Sequence, residues 1–486
     1  MKSEASTNYV WSRGKYEDDV YPSPPWYTSL MVFVSSVILI TLSKFDFVPL
    51  HDTFGRVYVD NLYRIASDVV NRPLAGVPGT VMKLRDRVTH DYGWTFEYTG
   101  EVRDVINMGS YNYLGFSNNS GPCAELAAEY IDKYGVGMCA SRLEFGNHKC
   151  LRELEQSIAR FLGTEDAVCF PMGFGTNSMN IPAFVEEGCL ILSDELNHAS
   201  LALGSKMSGA VVKVFKHNNA KDMEKKLIDA FRVGDPKTGK EFRKILIIIE
   251  GIYSMEGTIV NLPEFIAVKK KYKAYLFLDE AHSVGALGPT GRGVVEYWGC
   301  DPNDIDIMMG TLTKSFAAAG GYIAGRKSTI DYLRVKSQGA CYGVSMSPPV
   351  IAQVTASLRI MSGEDGSNVG KEKMIRLLRS TRYLRRRLKH LGFLIYGHED
   401  SPVVPMMTFF VTKVVCFGRE TLKHNLGLVS VGYPATPLTK SRARLCVSAE
   451  HTKEQLDRVL EVIDEVGDVT NTKYGVVGPP GTVIEY

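Results

Sequence analysis

No Cys-x-x-Cys pair occurs among the nine cysteines, and no His-x-x-x-His among the ten histidines. The first absence argues against a zinc site and, in a chain of this length, against a disulfide framework. Cys169, Cys189 and Cys446 instead sit in apolar stretches, as reduced, buried thiols of a cytosol-facing protein do. An excess of either charge is lacking too, with 56 basic and 54 acidic residues giving a formal net charge of +2. No basic block stands outside one helix, so no nucleic acid is expected as a partner, because a phosphate backbone calls for a concentrated positive face. A secretory signal is not expected either, since no short basic region leads directly into an apolar stretch and a small-residue cleavage site.

Long apolar runs are scarce, and the clearest is Trp26–Leu42, which carries no charge. It reads as a membrane helix, spanning or lying in the interface, with a buried core helix as the other reading. At ~1.5 Å per residue it is short for a hydrocarbon layer of ~30 Å. Arg13 and Lys15 before it and Lys44 and Arg56 after it give no contrast from which to orient it. A chain of 486 residues exceeds one ordinary core, so two domains with appendages are expected. The expected division is a polar segment 1–25, a membrane helix 26–42, a linker and helical region 43–105, a large domain 106–349, a small domain 350–475 and a flexible tail 476–486.

From about Val105 the pattern alternates. Asp166–Phe170, Cys189–Leu192, Lys244–Glu250, Ala274–Leu278 and Asp306–Met309 are short apolar runs of the kind buried in a parallel sheet. Met223–Phe231 and Leu262–Tyr272 between them have helical spacing. The fold class is therefore α/β with right-handed crossovers, and ligands are expected where strands end and loops begin.

Those ends carry reactive residues. In Gly310-Thr311-Leu312-Thr313-Lys314-Ser315-Phe316 a lysine lies between small and hydroxyl residues after an apolar run, placed to form a Schiff base with an aldehyde such as pyridoxal phosphate. That chemistry needs a neutral amine, hence desolvation and neighbouring charge. Phe170-Pro171-Met172-Gly173-Phe174-Gly175-Thr176-Asn177 leads from a strand into a helix, where backbone N–H groups suit a phosphate. Asp279-Glu280-Ala281-His282 puts an acid and an imidazole at one strand terminus, suited to the nitrogen and the phenolic oxygen of a pyridine cofactor. His198 closes another strand-end loop and could lie on the cofactor face. Read singly, each is also a plain structural residue; their convergence from several strand ends favours the functional reading.

Together with Asn112-Tyr113-Leu114-Gly115, Asn197-His198-Ala199-Ser200 and Glu250-Gly251-Ile252-Tyr253-Ser254-Met255-Glu256-Gly257, the stretch Thr311-Leu312-Thr313-Lys314-Ser315-Phe316-Ala317-Ala318-Ala319-Gly320 resembles the signatures of the α-oxoamine synthases, class II pyridoxal-phosphate aminotransferase-like enzymes. The resemblance covers roughly Ile106 to Lys473. It implies the fold type I architecture of such enzymes, a large mainly parallel α/β domain and a small C-terminal α/β domain. Gly109–Phe116, Val431–Pro437 and Ser441–Leu445, with the membrane segment ahead, are similar to the lysine-bearing subunit of the family's eukaryotic long-chain-base branch. That likeness implies a decarboxylating condensation of L-serine with a long-chain acyl-CoA such as palmitoyl-CoA, giving 3-ketosphinganine, CoA and carbon dioxide. It also implies a cytosol-facing catalytic domain on the endoplasmic-reticulum membrane, a homologous first subunit lacking the lysine, and small membrane activators and regulators as partners.

The roles so implied are these. Lys314 holds the cofactor and moves protons at the serine Cα; His198 stacks on the ring; Asp279 and His282 tune it. Gly173 and Phe174 bind the phosphate through backbone N–H groups and Thr311 through its hydroxyl. Arg444, or alternatively Arg442, grips the serine carboxylate, with Asn112 and Tyr113 as further substrate-binding candidates. Tyr342–Pro349 resembles a segment that reaches across to a neighbouring subunit's cofactor in homodimeric relatives. Gly251 stands where relatives often have serine, and Ala317 where glycine is common, which bears on acyl-chain length. A relative using glycine or alanine with a shorter acyl-CoA, and a non-catalytic scaffold, are the other readings. Lys371–Leu391 reads as an amphipathic helix stopped at Gly392, its basic face solvated or turned to lipid headgroups or CoA phosphates. The Pro/Gly-rich stretch after Gly475 is expected to be ordered only by a partner.

Overall fold

The computed structural model describes residues 24–43, 64, 66–91, 93–433 and 435–486; the expected polar segment at the N-terminus, most of the linker up to residue 63 and Pro434 lie outside them. The chain forms two compact units, one of Asn112–Ser254 and Thr258–Arg376, the other including Met255–Gly257, Leu377–Tyr486 and the described part of Glu17–Tyr111.

The expected apolar helix is present as Trp26–Ser43. At ~1.5 Å per residue it is about 27 Å long, and no helix among the described residues is long and apolar enough to cross a membrane. Thr28 and Val32 are buried, whereas Trp26, Leu30, Met31 and Phe33 are exposed. Later in the same unit, β1 (Val81–Val88) and β2 (Glu97–Asn107) form an antiparallel hairpin.

The other unit is built on a seven-stranded sheet: β3 (Asp166–Phe170), β4 (Leu190–Asp194), β5 (Val211–Phe215), β6 (Ile245–Glu250), β7 (Tyr275–Asp279), β8 (Ile307–Thr311) and β9 (Gly321–Gly325), in the order β3-β9-β8-β7-β6-β4-β5. The five apolar runs read from the sequence are β3, β4, β6, β7 and β8. Residues along β4, β6 and β8 are buried without alternation, as expected of strands covered on both faces. β5, at the edge, alternates instead, with Val212 and Val214 exposed. The two helices read from their spacing are Ala220–Val233 and Leu262–Tyr272. Asn219 caps the first by accepting from the Asp222 N–H, and a left-handed Lys273 ends the second.

The sheet is mixed rather than purely parallel, because β9 runs antiparallel to both β3 and β8. Its sequence, Gly-Tyr-Ile-Ala-Gly, is short and bracketed by glycines, and it is not among the apolar runs read from the sequence. Position Gly310 on β8 faces Tyr322 on β9 in the ladder, and a Cβ there would lie 2.3 Å from the Tyr322 ring. The missing side chain on one strand makes room for the ring on the other.

The remaining strands, β10 (Val403–Phe409), β11 (Leu426–Gly427), β12 (Val429–Val431) and β13 (Ser441–Cys446), belong to the other unit. β11 extends the β1–β2 hairpin, and β13 pairs with β10 and β12. The amphipathic helix runs from Val369 to His390 and the chain turns at Gly392 with φ 88°. Much of its basic character is used within the protein: Arg382 pairs with Asp400 at 2.7 Å, Arg386 pairs with Glu399, and buried Arg385 donates to the carbonyls of Ser401 and Tyr396 at 3.0 and 2.6 Å. The C-terminal stretch has no helix or strand, yet this chain alone pins it. Gly478 N–H donates to the His390 carbonyl at 2.8 Å and the Tyr486 ring lies 4.3 Å from the Arg379 guanidinium. Aromatic and backbone contacts thus replace the partner expected to order it.

Gly310→Ala should destabilise the protein by about 1–3 kcal/mol, the usual cost of overpacking a filled core. A second substitution, Tyr322→Leu, should recover part of the loss. Thermal melts of the single and double variants test this, and an unchanged midpoint in Gly310→Ala contradicts the packing.

Candidate active site

β4, β6, β7 and β8 are parallel neighbours, and β3 shares their direction because β9 is antiparallel to both β3 and β8. Their carboxyl ends therefore open on one edge, where a parallel sheet leaves a crevice. A cavity of about 330 Å³ lies there. Gly173, Phe174 and Asn177 enter it from the segment after β3, His198 and Ser200 from after β4, Glu250 from the end of β6, Asp279 and His282 from β7 and its following loop, and Thr311, Thr313 and Lys314 from β8 onward. Seven expected residues are thus brought together: Lys314, His198, Asp279, His282, Gly173, Phe174 and Thr311.

Asp279 is 3% exposed. Asn177 Nδ2 donates to its Oδ2 at 2.8 Å and the Ala281 N–H to its Oδ1 at 2.9 Å. Two neutral donors on one acid suit its anionic form, since a carboxylate only accepts. Glu250 is opposite it in the β6–β7 ladder and nearly as buried. Burial, and then the neighbouring Asp279, push the Glu250 carboxyl well above the usual carboxylate range, while Lys314 pulls the other way. Of two adjoining acids the environment thus favours one charge.

His198 caps the helix Ala199–Met207, its Nδ1 accepting from the Ser200 N–H, and its ring meets that of Phe174 edge-on at 6.0 Å. Although the side chain is open on the cavity side, burial of the rest holds its basicity below the ordinary imidazole value; Asp279 opposes that fall and Lys314 adds to it. His282 is buried, and its Nδ1 is 2.8 Å from the Tyr113 hydroxyl.

The segment Gly173–Ser178 starts with no side chain capping its N-terminus. A Cβ on Gly173 would come within 2.7 Å of Thr311 Oγ1, so the glycine keeps a cradle open between helix start and hydroxyl. Thr311 Oγ1 is itself 2.8 Å from Thr313 Oγ1. A lysine amine, an acid with two donors, two imidazoles and a cradle kept open by glycine fit a phosphorylated pyridine aldehyde.

Two substrate-binding candidates are not among the residues that line this cavity. Tyr113 is fully buried and supports His282, and Asn112 donates to Ser117 Oγ at 2.6 Å. Arg444 and Arg442 are on β13, in the other unit. There Arg442 is 1% exposed and committed to Glu256 at 3.2 Å and the Met255 carbonyl at 2.7 Å. Arg444 stacks on Tyr111 at 4.7 Å and has no carboxylate partner among the described residues. Asn177, Ser200, Glu250 and Thr313 are the site members named above that sequence reasoning did not single out. All four stood inside quoted motifs, and a signal was available in their fixed offsets from Gly173, His198, Lys314 and the strand end.

Comparison with known proteins bears on the same site. The family model described as aminotransferase class I and II matches residues 103–463. Serine palmitoyltransferase 3 of Caenorhabditis elegans is 62% identical, over 88% of this chain and 84% of the relative. Serine palmitoyltransferase 2 of Saccharomyces cerevisiae is 43% identical, over 94% and 85%. A serine palmitoyltransferase structure with its PLP internal aldimine superposes with a TM-score of 0.75 at 28% identity, covering 87% of this chain and 100% of that one. The structure of the Sphingomonas wittichii serine palmitoyltransferase matches with a TM-score of 0.75 at 26% identity, over 87% and 99%.

Glu280, between the two cavity residues Asp279 and His282, faces elsewhere. It accepts from the Val294 N–H at 3.0 Å and from the Ser283 hydroxyl, and a Cβ on Gly251 would meet both Ser283 Oγ and Glu280 Oε2. Glycine at 251 is thus required by this packing. Burial raises the Glu280 carboxyl from 4.5 to about 7, against the pull of its donors. An acid with a raised folded pKa contributes stability that is full below the unfolded value and lost as pH rises through the folded one, here from about 4.5 to about 7, roughly 3 kcal/mol in all. Glu280→Gln should flatten that part of the urea-midpoint profile between pH 4 and 8; an unaltered slope contradicts it.

Proposed function

Because the chain belongs to the aminotransferase class I and II family, we infer from its site that it carries out the pyridoxal-phosphate-dependent condensation of L-serine with an acyl-CoA in sphingolipid synthesis. The observation that carries this reading is the meeting of Lys314, Asp279, His282 and His198 around one cavity at the ends of parallel strands. Pyridoxal phosphate, when bound, supplies an electron sink for the charge released at the serine Cα as its carboxylate leaves and the acyl carbon is added.

The chain's own residues do the remainder. Lys314 Nζ is the point of attachment and afterwards the group that moves a proton at the serine Cα. Asp279 holds the proton on the ring nitrogen, its other contacts already supplied by Asn177 and Ala281. His282, its Nδ1 engaged by Tyr113, would face the phenolic oxygen. His198 would lie against the ring face. The N–H groups of Gly173 and Phe174 and the Thr311 hydroxyl would hold the phosphate. Arg444 takes the serine carboxylate, a role that suits a planar guanidinium without an acid of its own better than Arg442, which is already paired.

The finer reading concerns assembly and place. This chain is the lysine-bearing half of a heterodimer whose other half is a homologous subunit lacking the lysine. Supporting it is an apolar surface on which Phe145 is 94% exposed and Tyr342 82%, with Leu143 and Val344 beside them in sequence; the backbone joins the two stretches at the Ser141–Val344 bridge. Exposed apolar patches of this kind mark contact surfaces. The helix Trp26–Ser43, with Trp26, Leu30, Met31 and Phe33 exposed, lays these side chains into the endoplasmic-reticulum bilayer interface, with the catalytic site facing the cytosol and small membrane activators meeting it there. A bilayer that holds the acyl chain gives the anchor its purpose.

Co-expression with the homologous subunit tests the reading. The wild-type pair should show the visible absorbance of bound pyridoxal phosphate and form the long-chain base, and Lys314→Ala should abolish both while the pair still elutes as an assembled complex. An active Lys314→Ala pair overturns the assignment, and robust product from this chain alone overturns the heterodimer.

A further inference from the structure

Along the cavity wall a line of hydrogen bonds connects Asp279 to His198 through two other lining residues, Asn177 and Ser200. Asp279 Oδ2 accepts from Asn177 Nδ2 at 2.8 Å, the same Nδ2 is 3.0 Å from Ser200 Oγ, and Ser200 Oγ is 2.7 Å from His198 Nδ1. Asn177 is 2% and Ser200 1% exposed. The direction of each bond can be read from the chemistry of its end groups.

A carboxylate only accepts, so the Asn177 amide must turn its NH₂ toward Asp279; the opposite flip would set two oxygens against each other. One hydrogen of the NH₂ goes to Asp279 and the other to Ser200 Oγ. The serine hydroxyl then has its own proton to place, and His198 Nδ1 is the acceptor within reach among the described residues. The Ser200 backbone N–H also points at Nδ1, at 3.3 Å. With two donors aimed at it, Nδ1 is the unprotonated nitrogen of the ring.

We propose that Ser200 and Asn177 are positioning residues that lock His198 as a neutral imidazole with its proton on Nε2, so that the ring face it covers meets an N–H donor and no base. Resting on the cofactor reading above, this gives His198 a definite duty. It can hydrogen-bond an anionic oxygen of the serine carboxylate or of the developing thioester adduct, and it cannot take the serine Cα proton, which is left to Lys314. The charged and titratable groups facing His198 are consistent with a ring that stays uncharged. Lys314 opposes a second cation, Asp279 favours one, and the Glu250 carboxyl is occupied by the His198 backbone N–H. Burial adds to the first of these.

The claim concerns a proton position, so the direct test is a nitrogen spectrum of the assembled, cofactor-loaded complex with 15N-histidine in this chain, His198 being assigned by loss of its signals in His198→Asn. A neutral ring protonated on Nε2 from pH 6 to 8 is the expected result; a ring protonated on Nδ1, or an imidazolium, overturns the proposal. Ser200→Ala gives the second test. Removing one of the two donors on Nδ1 makes protonation there easier, so the acid limb of kcat/KM for serine, and an inflection in the visible absorbance of the bound cofactor, should move to higher pH by at least half a unit, roughly a threefold change in proton affinity. Ser200→Thr, which keeps the hydroxyl, should restore the wild-type profile. An acid limb in Ser200→Ala that coincides with wild type overturns the relay. The visible band itself reports the cofactor reading separately: its absence from wild type counts against that reading, its presence with the wrong tautomer against the relay alone.

Discussion

Placing charge at the buried end of a strand is the constraint on which this molecule depends. Asp279 ends a central strand of a sheet whose neighbouring strands are apolar nearly throughout, and an isolated carboxylate in such a place costs several kcal/mol. Around it the protein has assembled the Asn177 amide and the Ala281 N–H. Glu250, one strand away in register, is pushed toward its neutral form, which spares Asp279 a second negative neighbour. The same arrangement that makes the acid tolerable makes it useful, because a charge held by neutral donors keeps a face for a protonated ring nitrogen.

Support of this kind recurs at the other functional side chains. Tyr113 stands to His282 as Ser200 stands to His198, each hydroxyl meeting an Nδ1. The Gly173 cradle and the Gly310–Tyr322 packing are the backbone counterparts, since each places bulk on one element where its neighbour has none. In the other unit, buried Arg385 and Arg442 are held by carbonyls and, for Arg442, by Glu256. Arginine at those positions serves the fold, whereas Arg444 retains a guanidinium without an acid.

Much of this was legible in the residues. Parallel strands announce themselves as unbroken apolar runs, and β3, β4, β6, β7 and β8 fall where those runs are; Leu262–Tyr272 is the helix its spacing predicts. β9 was illegible because it is short and its Tyr322 answers to the missing side chain of Gly310 on the next strand, a tertiary fact with no local pattern. That Lys314 and its neighbours would meet could be read because strand ends concentrate loop chemistry. Tyr113 could be placed near the site and not as the support of His282, since that contact leaves no trace in spacing. The arginine helix misled for a related reason: a basic face looks the same in sequence whether water, lipid or the Asp400 and Glu399 of its own unit covers it.

The central claim is that Lys314 is the residue to which pyridoxal phosphate becomes attached. Reducing the purified, co-expressed complex with borohydride, digesting it and mapping the peptides by mass spectrometry tests this most directly. The account predicts a single pyridoxyl group on this chain, carried by the peptide containing Lys314, with loss of the visible band on reduction. A pyridoxyl group on another lysine, or none on this chain in a complex that forms the long-chain base, would contradict it.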